Sequence, residues 1–97
     1  MEAVKIARSD EDSADYVFDV QFQDETENYK YKVTFSEDYY KKLSNGKITP
    51  EELVRRSFEF LLEREAPGAV MHMFELPVIG RYFPEYEGEI RQSVNKG

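Results

Sequence analysis

The sequence contains no cysteine. Disulfides, zinc-thiolate sites and thiol catalysis are therefore excluded, and a reducing compartment is compatible with the chain. No apolar run approaches membrane-spanning length, and Met1-Glu2-Ala3-Val4-Lys5 opens no signal-peptide pattern. A cytoplasmic protein without membrane contact is the expectation. Basic charge is also scarce: 13 Lys and Arg stand against 20 Asp and Glu, for a net charge of −7. The cations are scattered, with Lys41-Lys42 and Arg55-Arg56 the only adjacent pairs. Nucleic acid is thus a disfavoured partner, because a polyanion is held by clustered Lys and Arg.

Catalytic groups are few. His72 is the single histidine, the five glycines stand apart, and no G-x-S-x-G surrounds a serine. Met71-His72-Met73 is the one cluster of soft metal ligands, but adjacent helical residues diverge and the set is incomplete. Its methionines are read as lying in or beside the core, with His72 at the edge. Asp10 and Asp12 alternate as calcium ligands would, yet no glycine follows. Neither a metal nor a cofactor is expected.

What is present is aromatic. Seven Phe and seven Tyr in 97 residues argue for one packed domain spanning residues 1–97. Tyr16, Phe18, Val20 and Phe22 alternate with polar residues, as do Tyr29, Tyr31, Val33 and Phe35. These two runs read as an antiparallel hairpin, aromatic on one face. Parity requires paired numbers with an odd sum. A sum of 51 sets Phe22 opposite Tyr29 and Asp19 opposite Lys32, a favourable cross-strand charge pair, and is preferred over 53, which gives a shorter turn over Glu25–Asn28. Residues 3–7 read either as a third strand or as a loose arm. Residues 8–15 read as an acidic solvated loop.

Two helices follow. Ser36 caps Glu37–Leu43, and Asn45-Gly46 ends it. Thr49, Pro50 and Glu52 then start a long central helix that stops before Pro67-Gly68. On a helical wheel Leu53, Val54, Ser57, Phe58, Phe60, Leu61 and Leu62 fill an arc of about 200°. So wide an arc needs cover on two sides, one from the hairpin and one from Val70–Phe83 or a second copy. Ala69–Phe74 is read as a short helix, and one or two turns are expected between Pro77 and Pro84. Residues 88–97 are read as a mobile polar tail, with a helix over Glu89–Ser93 as one option and Val94–Gly97 frayed. The fold expected is α+β: a β-hairpin packed on a long central helix, with short flanking helices.

Val33–Leu43 followed by Thr49–Phe58 resembles a ribbon-helix-helix regulator: strand, helix, turn, second capped helix. That resemblance implies an intertwined dimer reading DNA with Lys30, Lys32 and Thr34. The chain departs from the pattern in a short Ser36–Thr49 stretch, a complementary strand before the DNA-reading one, and its acidity. A broader likeness, over residues 29–87, rests on GKITPEELVRRSFEFLLERE and LPVIGRYFPEY. These are similar to stretches in a group of small hypothetical bacterial proteins. The likeness carries no function, but it implies that Leu76–Tyr86 shares a fold unit with the central helix.

The expected function is a non-enzymatic interaction module binding a protein partner or forming a homodimer. His72, Phe74, Tyr82 and Tyr86 are its candidate contact patch, because aromatics favour recognition surfaces. For Tyr82 and Tyr86 core and surface placements are open. A DNA-binding regulator and a small enzyme using paired carboxylates are the alternatives.

Overall fold

Alternation in the first two aromatic runs becomes the centre of a four-stranded sheet in the computed structural model, which describes residues 3–9, 15–23 and 27–96. Strand β1 spans Ala3–Arg8, β2 Tyr16–Gln23, β3 Asn28–Phe35 and β4 Met73–Glu75, in the order β1-β2-β3-β4. The first three are antiparallel neighbours, and β4 adds parallel to β3. The protein is thus α+β, with a mixed sheet. The β2–β3 register sets Phe22 opposite Tyr29, Val20 opposite Tyr31 and Asp19 opposite Lys32, the pairing to 51. Residues 3–7 belong to a true strand, whose Val4 and Ile6 meet Phe22 and Val20. Most of the expected acidic loop, residues 10–14, lies outside the described residues.

Among the described residues the helices are α1 (Glu37–Ser44), α2 (Pro50–Arg64), α3 (Val78–Tyr82) and α4 (Tyr86–Lys96). Ser36 Oγ caps α1 by accepting from the Tyr39 N–H, and Asn45 leaves it in the left-handed region at φ 54°. Thr49 Oγ1 caps α2 by accepting from the Glu52 N–H at 3.0 Å. The Glu52 carboxylate turns instead to Arg56, 3.0 Å away. Tyr40 donates its hydroxyl to the Ile48 carbonyl and so ties the α1–α2 turn to the body of α1.

The wide apolar arc of α2 is covered twice. Against the sheet, Phe58 packs between the rings of Tyr31 and Phe74, with centroids 5.1 and 6.0 Å away. On the other side Phe60 meets the ring edges of Tyr86 and Phe83 at 5.2 and 5.8 Å. The second cover thus comes from Val70–Phe83, through Phe83, and also from α4, through Tyr86, which the sequence reading did not include. Arg64 strengthens that junction: its guanidinium lies 3.7 Å over the Phe60 ring and reaches Glu89 at 2.8 Å and Glu85 at 3.3 Å.

Two expectations are corrected here. Residues 88–97 were expected as a tail with at most a short helix over Glu89–Ser93, but the whole of Tyr86–Lys96 forms α4, with Tyr86, Ile90 and Val94 buried at four-residue spacing. Residues 69–74 are not a helix. Pro67–Ala69 makes one 3-10 turn, and Met73–Glu75 pairs with β3. The backbone bonds Lys32 N to His72 O and Leu76 N to Thr34 O hold that short strand in line.

The buried tyrosines give the fold an alkaline limit. Loss of solvent, reinforced by neighbouring Tyr29, pushes Tyr31 up to about 12. Burial likewise raises Tyr86, and burial followed by its acidic surroundings raises Tyr39. Each folded pKa lies above the unfolded value of 10.0, so the neutral form is favoured by folding. Their contribution is complete below pH 10 and falls as pH rises through the folded values. Stability measured by urea melts should hold to about pH 10 and then decline, and phenolate absorbance should show a tyrosine fraction that ionises only on unfolding.

Candidate functional site

The sheet's β4 edge, the end of α2 and the short α3 converge on an apolar cleft. The chain is steered there by three local devices. Pro67 starts the 3-10 turn, whose Pro67 carbonyl accepts the Tyr31 hydroxyl at 2.7 Å. Phe74 alternates inward between exposed Met73 and Glu75 on β4. Pro77 then launches α3, where Ile79 and Phe83 turn inward one helical turn apart while Tyr82 faces solvent.

The resulting cavity is about 310 Å³. Leu61, Val70, Phe74 and Ile79, all buried, contribute its floor, and Ala69, Met71, Val78, Tyr82 and Phe83 its walls. Met71 is 45% exposed and Tyr82 68%, so the rim offers two large apolar side chains to solvent. Glu65 is the one charged lining residue, and its carboxylate has no ion pair or hydrogen bond among the described residues. That volume matches the small end of ligand clefts, which are apolar with few polar groups.

The four aromatic or histidine candidates divide. Tyr82 lies at the rim and Phe74 beneath it in the floor. Tyr86 is excluded from any surface patch: it is 0% exposed, and its hydroxyl lies 2.6 Å from Ser57 Oγ, which also donates to Leu53 O. Its helical spacing to Ile90 and Val94 was the available signal for burial. His72 is exposed but outside the cleft lining; its ring stacks on Tyr31 at 5.9 Å and its Nδ1 donates to Lys30 O at 3.1 Å. Met73, read as near the core, is 70% exposed because Phe74 takes the inward place on β4. Met71, read with Met73 as lying in or beside the core, is instead a half-exposed rim residue. Val78, Ala69 and Glu65 were not singled out as contact residues, since nothing local marks residues brought together by β4.

Lys30, Lys32 and Thr34 do share a surface, the helix-free face of the sheet, where Lys5, Asp19, Gln21 and His72 join Lys30 and Lys32 around an open depression of about 620 Å³. In a ribbon-helix-helix dimer the strand leading into the two helices pairs with its own copy, but here that strand is β3, which lies inside the sheet. Both edges of β3 are hydrogen-bonded within the chain, to β2 and β4. Lys32 also faces Asp19 across the strands, which reduces the positive field there.

For other chemistry, the described carboxylates are exposed or half-buried, and the cleft holds one acid. No group of three or more His, Asp or Glu is placed to hold a metal ion among the described residues. No described helix is long and apolar enough to cross a membrane. The chain matches no protein-family model, no curated protein and no solved structure.

Proposed function

We propose that this protein is a small interaction module that seats an apolar side chain of a partner protein in the cleft between α2, β4 and α3. The observation that carries this reading is the pairing of a buried apolar floor with an exposed rim at Met71 and Tyr82. A tyrosine at such a rim offers a large contact area at little conformational cost. Unpaired Glu65 sets the polarity of the partner: an aliphatic or aromatic anchor with a Lys or Arg beside it. The overall charge of −7 favours the same partner by long-range attraction.

Selection from a displayed peptide library against the full chain tests this. Enriched peptides should share an apolar residue flanked by a cation. Tyr82→Ala should weaken them about tenfold, the scale of a modest interface anchor. Glu65→Lys should slow association with little change in melting temperature. Peptides lacking that pattern, or indifferent to both substitutions, would overturn the reading. An unchanged affinity in Lys30→Ala completes the comparison, because Lys30 lies on the helix-free sheet face.

A further inference from the structure

Strand β1 forms one edge of the sheet, paired with β2 on one side and, among the described residues, with nothing on the other. Its phase is fixed by one bond: Ser9 N donates to Val17 O at 2.9 Å, in line with the β1–β2 register. Alternate residues in an antiparallel ladder point their backbone groups to opposite sides. Ala7 and Lys5 therefore direct theirs to β2, while Val4, Ile6 and Arg8 direct theirs outward. An edge of this kind is a template for another strand.

We propose that β1 pairs antiparallel with β1 of a second copy about a two-fold axis at Ile6, joining two four-stranded sheets into one. The outward backbone groups select the register. With Ile6 facing Ile6, Val4 of each copy faces Arg8 of the other, and all three outward residues enter hydrogen-bonded pairs. That makes roughly six bonds, two from each pair. The neighbouring register centres on Lys5, sets two lysines directly opposite, and leaves Arg8 beyond the other copy's Val4. A two-fold axis is also the operator that makes one strand edge complementary to itself.

Side chains agree with this register. Beside Val4, on the helix face of the sheet, lies a recess of about 430 Å³ lined by Arg55, Glu59, Leu62 and Glu63. Val4 and Leu62 are half-buried there, Ile6 is half-buried against the core next along β1, and exposed Glu59 has no ion pair among the described residues. The Ile6-centred register brings the cation of Arg8 from the second copy next to Val4, and so to the recess holding Glu59 and Glu63. The apolar strip and the acids thus receive a matching strand and charge. This surface lies at the β1 edge, apart from the cleft at β4, so either reading can fail without the other.

The test uses the full chain, which has no competing cysteine. Ile6→Cys should form a covalent dimer on mild oxidation, since directly opposed hydrogen-bonded residues lie about 5.5 Å apart at Cα, within disulfide range. Lys5→Cys should not, because Lys5 faces Ala7 of the second copy. Light scattering should give twice the chain mass for the unmodified protein. Arg8→Pro removes an outward N–H and no bond to β2, and should return the mass to that of one chain with circular dichroism unchanged. Four results would each overturn the proposal: an unmodified protein that is monomeric at high concentration, preferential cross-linking of Lys5→Cys, no cross-link with Ile6→Cys, or a dimer that survives Arg8→Pro.

Discussion

Removing residues 86–97 should leave a chain that no longer unfolds cooperatively. The segment buries Tyr86, Ile90 and Val94, and Tyr86 closes the outer side of α2 against Phe60. Each such side chain is worth about 1.5–3 kcal/mol on burial. Together they approach the whole stability of a domain this size, about 5–15 kcal/mol. Truncation also exposes Phe60, which is 5% exposed in the intact protein, and strips Arg64 of Glu85–Glu89 bridging through Glu89. Thermal unfolding followed by circular dichroism checks this. A sharp transition close to that of the full chain would show α4 to be dispensable.

Phe58→Ala should be the most damaging single substitution among the central-helix residues, costing about 3–5 kcal/mol. Phe58 is fully buried and links the sheet to the helix layer through Tyr31 and Phe74. Its removal leaves a cavity between the sheet and α2, each fixed by its own backbone hydrogen bonds, so collapse into the space is limited. For a domain of this size the melting temperature should fall by on the order of 20 °C. Met73→Ala, at a residue 70% exposed on the same sheet, should stay within about 0.5 kcal/mol. Similar losses for the two would contradict the packing described.

The parts legible in the sequence are those in which local chemistry and tertiary structure agree. Alternation over eight residues in β2 and β3 fixes which face is aromatic, and opposing Asp19 to Lys32 favours the observed register over the one shifted by two residues. Ser36, Asn45 and Thr49 mark helix ends because the backbone groups there need partners wherever the helix packs. The width of the α2 arc likewise required a second cover, which Phe83 supplies together with Tyr86 of α4. Strand β4 shows the opposite case. Three residues are too few to display a period, and their extended form depends on Lys32 and Thr34 of β3, about forty positions earlier.

The C-terminal helix was obscured by its polar composition. Glu87, Glu89, Arg91 and Gln92 dominate the segment, and the buried stripe is only Tyr86, Ile90 and Val94. The cleft was illegible for the same reason as β4. Its lining comes from α2, the 3-10 turn, β4 and α3, and only the tertiary fold brings them together. Tyr82 alone among the candidates carried a local hint, an aromatic left outward by the Ile79–Phe83 spacing.

The most direct measurement is an amide chemical-shift map of isotope-labelled protein titrated with a short peptide bearing one aromatic residue next to lysine. Binding in the cleft predicts the largest shifts at Ala69, Val70, Met71, Val78 and Tyr82, with Lys5, Lys30 and Lys32 undisturbed. Shifts centred on the helix-free sheet face, or none near Tyr82, would contradict it.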